Sequence, residues 1–264
     1  FKFTNKQSMR LSFFKKSNQI IILSALLCIS PSWAVTPMSN NFEDAFPFAF
    51  KDKKEESPGW MTGVGRLLVL GNRCSLILIK TPGENSSTTA ISAHHCLKDV
   101  LVTPGNKEDN TIKGYQILRG RFKNLKGETF ERDLKLAQHG GSDIGADWAI
   151  FKFTAPIMED DAHSFEIAKD TPYMMDEEIA VGHSTIISSP SGAYGNILRY
   201  DSQCHFEMLL KATGGDVVRV RNCEMKTGAS GGAYIGIDDK NNQPVLLGII
   251  KGIHKQEQGK GYYV

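Results

Sequence analysis

Residues 63–80 read Gly63-Val64-Gly65-Arg66-Leu67-Leu68-Val69-Leu70-Gly71-Asn72-Arg73-Cys74-Ser75-Leu76-Ile77-Leu78-Ile79-Lys80. Two short apolar runs, 63–70 and 74–80, flank the turn signal Gly71-Asn72-Arg73. Runs of this length, rich in aliphatic residues and bounded by turn formers, read as neighbouring β-strands. Thr81-Pro82-Gly83-Glu84-Asn85 is a turn, and 88–93 a third strand. The same texture predicts strands at 114–122, 129–136 and 148–153. In the second half it predicts them at 178–182, 184–188, 196–200, 205–210, 217–221, 233–237, 245–251 and 262–264. No long segment carries a 3.6-residue apolar period, and 94–100 has room for one helical turn. The pattern argues an all-β barrel or sandwich architecture in two halves, linked near residues 155–168.

Upstream of this region the texture differs. Met9 to Lys16 is short and basic, 20–29 is apolar, and Pro31-Ser32-Trp33-Ala34 ends in a small residue. This three-part pattern predicts a secretory signal peptide over 1–34, cleaved after Ala34, with 1–8 as upstream residues. A membrane anchor is the competing reading, but the apolar run is too short to span a bilayer. Residues 35–58 are polar with scattered phenylalanines and read as a pro-segment or flexible lead-in. Two domains then follow, 59–160 and 161–264.

The composition of the 264 residues, 41% apolar and 23% charged, is that of a globular protein with material for a real core. The formal net charge of +2 is misleading. The leader holds Lys2, Lys6, Arg10, Lys15 and Lys16 and no acid, so the remainder has 31 − 5 = 26 bases against 29 acids. A net of −3 gives no support to a nucleic-acid partner. Cys28 leaves with the leader. Cys74, Cys96, Cys204 and Cys223 remain, an even number that favours two disulfides in an exported protein. Three pairings are open. The local ones, Cys74–Cys96 and Cys204–Cys223, are preferred because each would brace a segment beside the candidate chemistry. Without a CxxC pair there is no reason to expect zinc or any other metal.

That chemistry centres on Thr227-Gly228-Ala229-Ser230-Gly231-Gly232-Ala233. Glycines let the backbone approach a ligand closely. The amides of Gly228 and Ser230 could converge beside the Ser230 hydroxyl as an oxyanion hole. A serine hydroxyl needs an imidazole to take its proton, and that imidazole needs a carboxylate to fix its tautomer. Ser92-Ala93-His94-His95-Cys96 ends a strand beside a cysteine and offers two histidines. Asp143-Ile144-Gly145-Ala146-Asp147-Trp148 offers two acids at the start of another strand. His139, His163, His183, His205 and His254 stand in no motif and read as structural or exposed.

Taken together these segments resemble the trypsin-like serine peptidase family, in the style of its secreted bacterial members. The order His, Asp, Ser is that family's. SAHHC is similar to its TAAHC motif, which selects His95 over His94. DWAIFKF is similar to its Asp-x-Ala strand, which selects Asp147 over Asp143. CEMKTGASGG resembles its serine box, and GVGRLL with CSLILI its first two strands. The resemblance covers residues 60–264 and implies two six-stranded antiparallel β-barrels with the active site between them.

It implies a secreted or periplasmic endopeptidase, monomeric, free of cofactors and of any membrane anchor once mature, acting on protein or peptide substrates. Ser230 would be the nucleophile, His95 the base, Asp147 its orienting acid, and the Gly228 and Ser230 amides the oxyanion hole. The acid that commonly precedes the serine is Ala229 here, so activation through an ion pair at that position is put in doubt. Glu224, by its place before the serine, would sit at the base of the primary substrate pocket, with Ile250 on the pocket strand. An acid there favours Lys or Arg substrates, and an apolar pocket is the competing reading. The alternative function is a catalytically inactive binding module on the same scaffold.

Overall fold

The computed structural model describes residues 58–69, 72–114, 117–141, 143–169, 175, 177–185, 196–201, 204–221, 223, 228–238, 243–256 and 259–263. The expected leader, residues 35–57 of the lead-in, Glu224 and the 186–188 end of one expected strand lie outside them.

The two strands expected on either side of residues 70–71 pair with each other and found the first half. β1 (Val64–Val69) runs antiparallel to β2 (Asn72–Ile79), with Val64 opposite Ile77 and Val69 opposite Asn72. β2 starts two residues before its apolar run, because Asn72 and Arg73 continue the ladder with Val69 and Leu68. Ladder hydrogen bonds come from the backbone and do not require apolar side chains. β3 (Ser86–Ser92), β4 (Leu118–Lys123), β5 (Thr129–His139) and β6 (Ala149–Met158) complete a closed antiparallel barrel of six strands in the order β1-β2-β3-β6-β5-β4.

β2 explains why its sequence is apolar almost without interruption. Successive side chains of a strand point to opposite faces. Cys74, Leu76 and Leu78 enter the barrel core with Leu67, Phe122 and Phe151. Ile77 enters a second cluster with Val64, Phe165, Ile179, Val181 and Ile235. The strand is buried on both faces and forms a wall shared by the two halves of the molecule.

The second half contains β7 (Glu166–Ile167), β8 (Glu177–Thr185), β9 (Asn196–Asp201), β10 (His205–Ala212), β11 (Gly215–Arg221), β12 (Ala233–Asp238), β13 (Gln243–Ile249), β14 (Gly252–Gln256) and β15 (Gly259–Tyr263). They form a five-stranded sheet, β7-β13-β12-β8-β9, and a four-stranded sheet, β10-β11-β15-β14. The expected strands at 178–182 and 184–188 share one element, β8, because Gly182 and His183 continue the ladder against Arg199 and Leu198. β7 and β14 were not legible as strands: the first is two residues long, and the second is polar and pairs only with β15.

β8 and β12 are also buried on both faces. Ile179, Val181, Ala233 and Ile235 face the second cluster, while Ala180 and Tyr234 face a third with Cys204, Val218, Val220, Cys223 and Ile250. The phenol of Tyr234 donates a 2.6 Å hydrogen bond to Glu178 Oε2, which also accepts the Phe206 N–H at 2.6 Å. Burial, followed by the adjoining carboxylate, pushes the phenol's pKa up, so it stays a neutral donor.

Both local disulfides, Cys74–Cys96 and Cys204–Cys223, are formed, as suits an oxidising environment. Among the described residues the only helical segments are three short 3₁₀ turns, 59–63, 94–97 and 144–146, and no helix is long and apolar enough to cross a membrane.

Candidate active site

The register of one strand pair brings a histidine to an aspartate. β3 and β6 run antiparallel with Ser92 opposite Ala149. Three residues beyond Ser92 lies His95, in the 3₁₀ turn His94–Leu97; two residues before Ala149 lies Asp147, just after the turn Ile144–Ala146. The carboxylate of Asp147 grips His95 twice. Oδ1 accepts the backbone N–H at 2.8 Å, and Oδ2 lies 2.7 Å from Nδ1. A carboxylate at that distance fixes the proton on Nδ1 and leaves the Nε2 lone pair free as a base. Asp147 is almost buried, its side chain 10% exposed, whereas the imidazole is 39% exposed and open to a reacting partner. Asp143 is exposed and takes no part in this contact.

His94 does not reach the surface. It is buried and stacks on His139, ring centroids 4.6 Å apart, directly behind the His95 turn. Burial lowers its pKa, helped by the neighbouring His139 and His95 and opposed by Asp147. Of the two roles its place beside His95 leaves open, at the surface or behind the site, the stack places His94 in the second. His139 could not be recognised as its partner, since the two lie on different elements.

Ser230 lies in the turn that leads into β12. Gly228 and Gly231 have φ of 100° and 78°, the region in which glycine is at ease. At Gly231 a Cβ would also overlap Ser92 Oγ and the Ser75 carbonyl, so the turn packs directly on the β3 end that carries His95. The Gly231 N–H donates to the Ile250 carbonyl, and the Ile250 N–H returns to Gly232 O, both at 2.8 Å. Ile250 therefore meets the turn through its backbone, while its side chain is buried in the third cluster. No hydrogen bond joins the amides of Gly228 or Ser230 to another described residue. The Ser230 hydroxyl donates a long hydrogen bond, 3.5 Å, to the Lys251 carbonyl, and none to His95.

Two residues at this junction carry no motif. Lys251 sends its ammonium 2.8 Å to the Ile144 carbonyl, in the turn that presents Asp147. Burial lowers its pKa, with Asp147 pulling the other way. Ser75, fully buried on β2, bonds directly to the Ser230 turn. The one hint in the sequence was a lone hydroxyl among Leu, Ile and Cys, where an inward polar group must find partners.

Among the described residues, two groups of donors come within ligand distance of one another, Cys74/His95/Cys96 and Asp201/Cys204/Cys223. In both, the sulfurs are joined in disulfides and are not thiolate ligands. The chain matches no protein-family model, and no curated protein matches it.

Proposed function

We propose that this chain is a serine endopeptidase of the trypsin-like type, with the nine strands of its second half forming the walls of a second barrel and the site lying between the halves. One observation carries the reading. Asp147 meets His95 at both its backbone N–H and its Nδ1, and the glycine turn bearing Ser230 packs against the strand end that bears His95.

In this mechanism His95 Nε2 takes the Ser230 hydroxyl proton as Oγ bonds to the scissile carbonyl carbon. The carbonyl π electrons move onto oxygen, and the amides of Gly228 and Ser230 bind the oxyanion. The imidazolium, facing the Asp147 carboxylate, then protonates the leaving amine as the C–N bond breaks. Water repeats the sequence on the acyl-enzyme and releases the acid. A leader-like segment and two disulfides support secretion or a periplasmic location.

A fluorophosphonate probe tests the reading. The expected result is covalent labelling on the peptide containing Ser230, lost in Ser230→Ala. The second reading, an inactive binding module, has one observation in its favour: the Ser230 hydroxyl bonds to Lys251 O and not to His95. Catalytic hydrogen bonds are often long or misaligned before substrate arrives. A folded protein that stays unlabelled would decide for the binding module.

A further inference from the structure

A nucleophile turn with an uncharged, buried Ala229 at its centre has no ion pair there to hold its shape. Something else must orient the peptide planes of residues 228–231, since the Ser230 N–H binds an oxyanion only if it points outward. The planes on either side of the Ala229–Ser230 peptide are both tied to one residue of the first barrel. Ser75 Oγ donates to Gly228 O at 3.1 Å, and the Ser75 N–H donates to Ser230 O at 2.8 Å.

The direction of the first bond is not ambiguous. Ser75 Oγ also receives the His183 N–H at 2.7 Å, and an amide can only donate. The hydroxyl proton is therefore free for Gly228 O. The Ser75 carbonyl in turn accepts the Ser92 hydroxyl at 2.7 Å, which anchors β2 to the strand end that leads to His95. Between the two tethered carbonyls, Ala229 O accepts the Gly232 N–H at 2.8 Å. In a trans peptide the N–H and C=O point in opposite directions. With Ala229 O committed to Gly232, the Ser230 N–H is turned to the other side.

We infer that Ser75 is a positioning residue: its hydroxyl sets the oxyanion-binding geometry of the Ser230 turn from the opposite half of the molecule. This rests on the serine-peptidase reading. Ser75→Ala keeps the backbone bond to Ser230 O and removes only the hydroxyl bonds to Gly228 O and from the His183 N–H. A shift of the donors by about 1 Å is enough to cost on the order of 100-fold in rate.

The test is the second-order rate of fluorophosphonate labelling per folded molecule, measured on the full chain. Ser75→Ala is expected to label about 10- to 100-fold more slowly than wild type. Ser87→Ala is the control. Ser87 is equally buried in the same barrel, with its hydroxyl on the carbonyls of Ile79 and Thr89, away from the turn. It should lower the melting temperature without lowering the labelling rate.

Equal rates for Ser75→Ala and wild type would overturn the inference while leaving the peptidase reading intact. No labelling of wild type would overturn both. If Ser75→Ala does not fold, Ser75→Thr and Ser75→Val decide, because they share a shape and differ in the hydroxyl. The Thr variant must then label faster than the Val variant, and parity refutes the role.

Discussion

His95 with Asp147 and the turn of Ser230 are assembled by different means. The first pair belongs to one barrel. Two neighbouring strands, β3 and β6, pair so that the end of one lies beside the start of the other, and their register brings the imidazole to the carboxylate at 2.7 Å, with the Cys74–Cys96 disulfide bracing the turn of His95. The Ser230 turn belongs to the second half, yet it is bonded on one side to Ile250 and on the other to Ser75 of the first barrel. The His95–Asp147 pair is a local product of sheet pairing. The position of Ser230 is a property of the contact between halves.

The largest effect should come from breaking the local side of this contrast. Asp147→Asn keeps the shape of the carboxylate but loses its charge and permits the wrong imidazole tautomer. Peptide hydrolysis should fall by roughly 10⁴-fold in kcat with little change in KM. A loss of less than about tenfold, well short of that expectation, would mean that the 2.7 Å contact does not orient a base.

The disulfides come next and separate the two regions. Each closes a short loop, with sequence separations of 22 and 19, and removing either should cost roughly 3 kcal/mol of stability by denaturant unfolding. Replacing Cys74 and Cys96 by alanine should in addition disturb the His95–Asp147 contact, visible as loss of a downfield Nδ1 proton signal in NMR. The Cys204/Cys223 replacement should leave that signal in place. The same response from both would erase the distinction drawn here.

The smallest effect is the pH dependence of stability. His94 is held below its ordinary value of 6.5, first by burial. The folded form thus binds fewer protons than the unfolded chain once the pH drops under 6.5. Stability from this site is complete above that pH and is lost as the solution is acidified toward the folded-state value. Urea unfolding at stepped pH should show the decline, and His94→Phe should flatten it. An unchanged slope would assign the acid sensitivity elsewhere, for example to His163, which burial also shifts downward.

What could be read in the sequence follows the same division. His95 and Asp147 were picked out by their likeness to a family's motifs, and the local cystines were the preferred of three open pairings; the strands of the first barrel were accessible directly, because apolar runs and turn residues report local structure. The dual burial of β2, β8 and β12 was not, because a continuous apolar run looks alike whether its second face meets a neighbour or a membrane. Lys251 and the His94–His139 stack were invisible, and Ser75 was hinted at only as a lone hydroxyl in an apolar run, for a related reason. Each acquires its surroundings from residues far away in the chain, such as the 153 positions between Ser75 and Gly228. The edge strand β14, polar and glycine-led, reads as a loop until its one partner is known.

Cys74 and Ser75 are consecutive, and that adjacency has a metric consequence. From His95 the path runs through Cys96, across the disulfide to Cys74, and on to Ser75 by covalent bonds alone; one hydrogen bond then reaches Ser230 O. The connection from His95 to the Ser230 turn is therefore covalent but for one hydrogen bond, and the 3.8 Å step between neighbouring Cα atoms sets the distance from Cys74 to Ser75. An insertion between these two residues would lengthen that connection by a whole step and turn Ser75 to the wrong face of the strand.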